Sequence, residues 1–474
     1  MPRASLIATL FEPPSADGAE LTALPDAVEW LEVPGCRVGD IDPEWLRDHF
    51  KGRLLYSFRT EDGGALNRSE RLKTAARFYD RLELEVETDV SEELLAVVPP
   101  EKRLVSWYGK VNDLSELNDR FAQVSSVPAA AYKIVTTADT IAEEFLPLSL
   151  LKSLNRTDTI AFANGPLGFW NRIVALHLGA PAIFGLVAGG SIAEMEPSIG
   201  KLIADYGLPE VAPAKELFAI IGNPIFHSLS PRLHNASYRA INHTALFVPL
   251  RVPSFAGFWR DFVTSKKLDE FGLPINGMTV ASPHKEEAVL TAKTVSGMVQ
   301  QTEAANILVR NNGWWAADTT DPDVVYSVRV KEKRAAVIGC GGAGRAIAAA
   351  LVQSGAGVTL INRGAERGEH AAALLGLPYI PLRDFDAEGY DIVVNATPVG
   401  RDTDEAPFEV ERLGNDAVVI DLVYGSRPTP LVGTTRARRQ LAIDGRDVLV
   451  TQVSRQFRLM TGKEMPLPQI MKIL

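Results

Sequence analysis

The chain has 474 residues, more than one ordinary domain needs and enough for two or three. Its 46% hydrophobic and 23% charged residues are the composition of a globular protein with sizeable cores, and a net charge of −10 argues against a broad nucleic-acid footprint. Two cysteines, Cys36 and Cys340, supply neither a disulfide framework nor a metal cluster. The N-terminus shows no basic region followed by an apolar run, so no signal peptide is expected. The most apolar stretch, residues 173–189, is broken by His177, Pro181 and several glycines, which opposes a membrane span. The expectation is a cytoplasmic protein that handles small molecules and has neither a nucleic acid nor a membrane as partner; oligomeric state is not legible.

From residue 4 to about 207, strand-like apolar runs alternate with amphipathic segments. Strands are expected at 5–10, 28–33, 53–59, 82–86, 103–107, 129–135, 159–163 and 181–186, with helices at 43–50, 68–79, 91–98, 114–124 and 138–153. Eight strands alternating with helices predict a (β/α)8 barrel, with an open doubly wound sheet as the alternative. Barrel chemistry sits at the C-terminal ends of the strands. That rule puts forward Glu32, Arg59, Tyr108 and Lys133, joined by Arg172 from the start of the helix after the seventh strand. Lys133 closes the apolar run AAAYK. A lysine desolvated there has a lowered pKa and can attack a ketone as a free amine. The alternative is a lysine paired with Glu32 for structure alone.

These residues resemble the type I 3-dehydroquinate dehydratases over roughly residues 1–210. The resemblance implies that Lys133, in YKIV, is a Schiff-base lysine. It also implies that Arg59 in SFRTEDGG, Glu32, and Arg172 in GFWNRI contact substrate. The chain departs from the family pattern at three places. Glu32-Val33-Pro34 replaces E-x-R, residues 191–195 (SIAEM) replace S-A-P-G-Q, and Ser106-Trp107-Tyr108-Gly109 replaces S-x-H-D. Tyr108 therefore stands where the family has its general-base histidine. His49 and His177 are the only histidines in this half, and neither follows a strand. A tyrosine with the ordinary pKa of ~10 is a poor base at neutral pH, and general-base catalysis is typically worth ~10²–10⁴-fold. A slow dehydratase is expected.

Residues 206–217, YGLPEVAPAKEL, read as a short stiff linker, and a fresh apolar strand follows at 218–222. Next comes GNPIFHSLSPRLHN, in which Ser228 and Ser230 precede a proline that can open a helix. Such serines either cap the helix or bind a polar ligand at its positive end. In GMTVASPHKEEA, Lys285 sits at a helix start, an unfavourable place for a cation and hence a hint of function. EAANIL and ADTTD then each end an apolar stretch in polar side chains, Asn306 and Asp321 among them. Residues 335–351, AAVIGCGGAGRAIAAAL, read as strand, glycine turn and helix, with Gly339, Gly341 and Gly344 at G-x-G-x-x-G spacing and a second strand at 357–361. In that setting the glycines permit a tight turn, close approach of backbone to a pyrophosphate, and tight helix–strand packing. The helix start offers free N–H groups to the phosphates.

In order and spacing, these motifs resemble shikimate dehydrogenase from about residue 216 onward, continuing through DIVVNATPVG, IDLVYGSRPTPL and Gln452. The resemblance implies a two-lobed dehydrogenase with a Rossmann nucleotide domain behind the barrel, an all-α/β chain. Its boundaries would be 1–210 for the barrel, 216–321 completed by 446–474 for the shikimate-binding lobe, and 322–445 for the nucleotide domain. Lys285 and Asp321 would be the catalytic pair, with Ser228, Ser230, Asn306, Tyr424 and Gln452 around the substrate. Gly339, Gly341, Gly342, Gly344, Arg345, Asn362, Arg363 and Thr397 would hold the cofactor. An arginine at 363, where an acidic residue would favour NAD, points to NADP. Departures are Ala281 after Thr279-Val280, Asp318-Thr319-Thr320-Asp321-Pro322, and Ala304-Ala305-Asn306-Ile307. The combined expectation is a 3-dehydroquinate dehydratase, with 3-dehydroquinate as its substrate, fused to an NADPH-dependent enzyme that reduces 3-dehydroshikimate to shikimate. The alternatives are a metabolite-sensing regulator and a quinate dehydrogenase, each with a decayed barrel.

Overall fold

The structure, a computed structural model, describes residues 2–59, 67–187, 196–425 and 427–473. Its chain forms two compact units. The first comprises residues 1–219 and 224–275, and the second comprises 220–223 and 276–474. Among the described residues no helix is long and apolar enough to cross a membrane.

All eight strands expected in the first unit are present: β1 Ser5–Thr9, β2 Val28–Pro34, β3 Arg53–Ser57, β4 Arg81–Glu85, β5 Arg103–Gly109, β6 Ala131–Thr137, β7 Thr159–Asn164 and β8 Ala182–Leu186. They are parallel in the order β7-β6-β5-β4-β3-β2-β1-β8, a nearly closed barrel rather than the open doubly wound alternative. Alternation along the strands builds its interior in layers. Ile7, Trp30, Leu55, Leu104, Ala131, Ile160 and Ala182 belong to one apolar core. Two residues further along the same strands stand Thr9, Glu32, Ser57, Ser106 and Lys133, all buried. The chemistry is therefore seated on a dry apolar floor. The intervening helices start where local caps allow. The Asp42 carboxylate accepts from Glu44 N ahead of Pro43, Ser91 Oγ from Leu94 N, and the Asp113 carboxylate from Glu116 N.

The proline-rich segment after the barrel is not a free spacer. Tyr206 still belongs to the helix Ile199–Tyr206, Leu208 and Val211 are buried, Ala4 N donates to Pro209 O at 2.9 Å, and Val211 N donates to Pro2 O at 2.9 Å. Strand β9, Glu216–Gly222, follows, and then the helix Ser230–Ala240 and β10, Ala245–Arg251. Residues 224–275 share aromatic packing with the barrel helices. Phe262 lies 5.5 Å from Phe145 and 5.1 Å from Trp170 between ring centroids, and Phe226 lies 5.1 Å from Phe169.

In the second unit, Ala281 N donates to Ile221 O at 2.8 Å, so the end of β9 runs beside the end of β11, Ile275–Val280. The sheet continues from β11 through β13, Ile307–Asn311, and β14, Trp314–Asp318, to the short β12, Thr294–Val295. A second sheet comprises β15 Arg334–Ile338, β16 Gly357–Asn362, β17 Tyr379–Pro381, β18 Ile392–Asn395, β19 Val418–Asp421 and β20 Ala442–Ile443. Its order is β17-β16-β15-β18-β19-β20, parallel throughout. This is the doubly wound dinucleotide-binding arrangement, in which ligands lie at the point where strand order reverses, here between β15 and β18. The helix Gly342–Gln353 leaves β15 at that point and buries Ala346, Ile347, Ala349, Ala350 and Leu351. A capping box formed by Asp444 and Asp447 starts the long C-terminal helix Gly445–Thr461.

Phe262 is almost fully buried among Phe145, Trp170 and Phe258. Phe262→Ala is expected to destabilise the first unit by ~3–5 kcal/mol, the usual cost of emptying an aromatic core site. Denaturant unfolding followed by tryptophan fluorescence checks this, and a change below ~1 kcal/mol would contradict the shared core.

Candidate functional site

In the barrel, the register sets Lys133 on β6 opposite Ser106 on β5. Lys133 is fully buried, and its Nζ donates to Glu83 Oε2 at 3.2 Å and lies 3.9 Å from the centroid of the Phe184 ring. Burial pulls its pKa below the ordinary lysine value, and Arg59 pulls the same way. Glu83 and Glu32 oppose them without cancelling the effect. Lys133 is thus biased toward the neutral amine that an attack on a carbonyl requires. The structure corrects the pairing considered from sequence: the partner of Lys133 is Glu83, not Glu32. Glu32 instead accepts from Thr9 Oγ1 at 2.6 Å and Ser57 Oγ at 2.8 Å, and faces Arg59 at 3.5 Å. Burial opposes its charge, but Lys133 and Arg59 hold the carboxyl below its ordinary range.

The other oxygen of Glu83 accepts a short hydrogen bond from the Tyr108 hydroxyl. Burial pushes the Tyr108 phenol well above its ordinary range. Glu83 and Glu32 reinforce that rise and Arg59 opposes it. Arg172 Nη2 donates to Asn164 Oδ1 at 2.8 Å and Glu196 at 3.2 Å. Arg59 Nε, Arg172 Nε and Ser106 Oγ are buried without hydrogen-bond partners among the described residues. Such groups fit a polyhydroxylated or anionic ligand that would satisfy them. Residues 60–66, which complete the SFRTEDGG motif, and the stretch 191–195 lie outside the described residues.

In the second unit, four of the residues singled out in the sequence come together. Lys285 Nζ donates to Asp321 Oδ2 at 2.6 Å. Asp321 Oδ1 accepts from Asn306 Nδ2 and Gln452 Nε2, each at 3.0 Å. Asn306 Oδ1 takes Thr320 N at 2.8 Å, Gln456 Nε2 donates to Thr320 Oγ1 at 2.9 Å, and Thr279 Oγ1 donates to Gln456 Oε1 at 3.0 Å. The carboxylate is buried while the lysine retains some exposure, which leaves the ammonium accessible to a ligand. Ser228 and Ser230 belong to the first unit. Both are buried, and Ser230 N donates to Ser228 Oγ at 3.2 Å where the helix Ser230–Ala240 begins. Tyr424 lines a hollow of about 100 Å³ with Val423, Thr429, Asp444 and Arg446.

The glycine turn has the geometry its spacing implies. Gly339 has φ +103°, and a Cβ there would come within 2.9 Å of the Ala396 backbone. A Cβ on Gly344 would lie 1.8 Å from Gly339 O, and one on Gly342 2.8 Å from the Ala304 Cβ. A Cβ on Gly341 would meet nothing within 4 Å. The turn is closed on three sides and open at Gly341, a cradle suited to a pyrophosphate. Cys340 is buried packing, with its N–H donating to Asn362 Oδ1 at 3.1 Å. Arg363 is exposed just past β16, and no acidic residue ends that strand. Thr397, whose hydroxyl donates to Asn395 Oδ1 at 2.7 Å, stands beside Gly339 at the end of β18. The dinucleotide therefore fits the residues present. Arg345 is the exception among those named from sequence. Its buried side chain turns away from the cradle, with Nε donating to Thr302 O at 2.9 Å and Nη2 2.8 Å from Glu286. Arg345 is the fourth residue of its helix, and its side chain reaches the end of the helix Gly297–Thr302 that packs beside it.

Sequence reasoning missed Glu83, Thr320, Arg455 and Gln456. Glu83 had a signal, an acidic residue at an inward position of a buried strand. Gln456 lies four residues after Gln452 and so on the same helix face. Arg455 binds Asp323 at 2.6 Å and Asp318 at 3.0 Å, and nothing local marked it out.

Comparison with known proteins agrees with this geometry. Residues 220–308 match the family model for the shikimate dehydrogenase substrate binding domain, and residues 44–206 match that for type I 3-dehydroquinase. The chain is 35% identical over 242 residues to shikimate dehydrogenase (NADP(+)) of Ignicoccus hospitalis, covering 50% of this chain and 89% of that protein. It is 26% identical over 417 residues to the bifunctional 3-dehydroquinate dehydratase/shikimate dehydrogenase, chloroplastic, of Arabidopsis thaliana, covering 81% of this chain and 68% of that one. The crystal structure of shikimate dehydrogenase from Aquifex aeolicus superimposes with a TM-score of 0.50 at 28% identity, covering 55% of this chain and 97% of that one. The chain belongs to the shikimate dehydrogenase family. Within it, the chain is of the fused kind that carries a type I 3-dehydroquinase barrel ahead of the dehydrogenase.

Arg345→Ala would remove a buried cation and leave Thr302 O short of a donor. It is expected to lower stability by ~1–3 kcal/mol, a loss visible in the thermal unfolding of the full chain. A selective rise in KM for the dinucleotide at unchanged stability would contradict a structural role for this side chain.

Proposed function

We propose that the second unit reduces the ketone of 3-dehydroshikimate to the alcohol of shikimate, reversibly, and that the barrel supplies this ketone by dehydrating 3-dehydroquinate. The observation that carries the reading is the Lys285–Asp321 contact, braced by Asn306 and Gln452. NADP is the cofactor, and when bound it supplies or accepts the hydride. Gly339, Gly341, Gly342 and Gly344 would hold its pyrophosphate, and Thr397 would lie alongside. Asn362 and Arg363 would face the ribose, the arginine accommodating the 2′-phosphate.

The protein's part is proton handling and orientation. Lys285 gives its proton to the carbonyl oxygen that becomes the hydroxyl and takes it back in reverse. Asp321 keeps the ammonium aimed and accepts a neighbouring substrate hydroxyl, while Asn306 and Gln452 keep the carboxylate from rotating away. Tyr424 completes the substrate contacts of the second unit. In the barrel, Lys133 condenses with the substrate ketone, and Glu32, Arg59 and Arg172 hold the ring substituents. In this reading residues 1–210 form the dehydratase, 216–321 with 446–474 the shikimate-binding lobe, and 322–445 the nucleotide domain. The two reactions are consecutive steps of aromatic amino acid biosynthesis, an oxidoreductase and a lyase in one chain.

Lys285→Ala is expected to lower kcat for 3-dehydroshikimate reduction by ~10²–10⁴-fold, the usual worth of a positioned proton donor, with a much smaller change in substrate binding. Steady-state kinetics paired with a binding titration measure both. An unchanged kcat would end the assignment.

A further inference from the structure

The barrel contains the imine-forming lysine but no histidine beside it. His49 ends the helix Pro43–His49, with Nδ1 2.8 Å from Trp45 O, and His177 ends the helix Trp170–His177. Elimination of water needs a group that removes a proton from carbon and a group that gives one to the departing oxygen. Inside the described barrel the ionisable groups around Lys133 are Glu32, Arg59, Glu83, Tyr108, Arg172 and Glu196. Arg59 and Arg172 keep their protons at all working pH values. Glu32 is saturated by Thr9, Ser57 and Arg59, and Glu196 is paired with Arg172. Glu83 and Tyr108 remain. One carboxylate oxygen of Glu83 takes the Lys133 Nζ and the other takes the Tyr108 hydroxyl, so the three groups form one connected chain. Tyr108 is inward-facing, two residues beyond Ser106 on β5, with the Lys133 Nζ 5.5 Å from its ring centroid.

We propose that Tyr108 is the catalytic acid of the barrel and Glu83 its proton-accepting partner, together replacing a histidine. The inference rests on the dehydratase reading given above. The neutral Lys133 amine adds to the ketone carbon, takes up one proton from solvent and loses one water, forming the iminium. Glu83 takes a proton from the adjacent carbon, and the resulting enamine pair expels the hydroxyl one carbon further on. As that C–O bond breaks, its electron pair goes to oxygen, the Tyr108 proton joins it, and water departs. The phenolate then takes back the proton held by Glu83 through the hydrogen bond they share. Hydrolysis of the iminium consumes one water, returns one proton to solvent and frees the neutral Lys133 amine, so the net change is the loss of one water. A phenol held protonated by its dry surroundings is suited to donating and unsuited to acting as the initial base. This is why the carboxylate takes the first proton.

The test uses the full chain with 3-dehydroquinate. Enone formation reports turnover, and borohydride trapping followed by mass spectrometry reports the adduct on Lys133. Tyr108→Phe should keep the adduct and lose turnover by ~100-fold or more, and Tyr108→His should restore turnover. Turnover by Tyr108→Phe within about threefold of the unmodified chain would overturn the proposal, a change too small for loss of a positioned acid. So would loss of the adduct together with turnover, which would give Tyr108 a role in maintaining the barrel. An adduct without turnover in the unmodified chain would overturn the acid role and leave imine formation standing. Absence of both would remove the dehydratase reading and this inference with it.

Discussion

A buried carboxylate that must be fully satisfied governs the dehydrogenase half. Asp321 is nearly excluded from water, and an uncompensated charge there would cost several kcal/mol. It is tolerated because Lys285, Asn306 and Gln452 come from three separate stretches of chain to meet it. That requirement explains why the helix Gly445–Thr461 follows the nucleotide-binding sheet in sequence yet packs against residues 318–323. Arg455 ties it to Asp318 and Asp323, and Gln456 ties it to Thr279 and Thr320. The same contacts that stabilise the carboxylate aim the lysine.

The segment bearing Lys285 is also joined to the nucleotide cradle. A side chain on Gly342 would press on Ala304 and Lys285, and Arg345, three residues on, holds Thr302 O and Glu286. The glycine turn therefore serves two purposes, leaving room for a pyrophosphate at Gly341 and letting the lysine-bearing segment pack against the helix that starts there. In the barrel the corresponding arrangement is Lys133, Glu83 and Tyr108 above an apolar floor. Low polarity there weakens the lysine's hold on its proton and strengthens the phenol's. One dry environment thus prepares a nucleophile and preserves an acid.

Much of the architecture was legible because the periodicities are strong. Every barrel strand was visible as an apolar run, and the strand–glycine turn–helix of 335–351 could be read as a unit. Lys133, Lys285, Asn306, Asp321 and Gln452 stood out because a polar residue ended an apolar stretch or matched a motif. What sequence could not supply was partner choice across strands. Glu32 and Glu83 are equally plausible mates for Lys133 on paper; both point inward, and strand order decides for Glu83, because β4 lies two strands from β6 and β2 lies four. Arg345 looked like a phosphate ligand because it follows the glycines, whereas helix phase turns it toward Thr302. The segment 206–217 looked like a spacer because its anchors are backbone hydrogen bonds to residues 2 and 4, which leave no mark in side-chain composition.

One chain joins an imine-forming barrel to a ketone-reducing dehydrogenase. The most direct measurement follows NADPH absorbance with the purified full chain, supplying 3-dehydroshikimate in one cuvette and 3-dehydroquinate in another. Immediate NADPH oxidation is expected in the first and slower oxidation after a lag in the second, because the barrel must first make the ketone. No oxidation in either cuvette would contradict this pairing of activities.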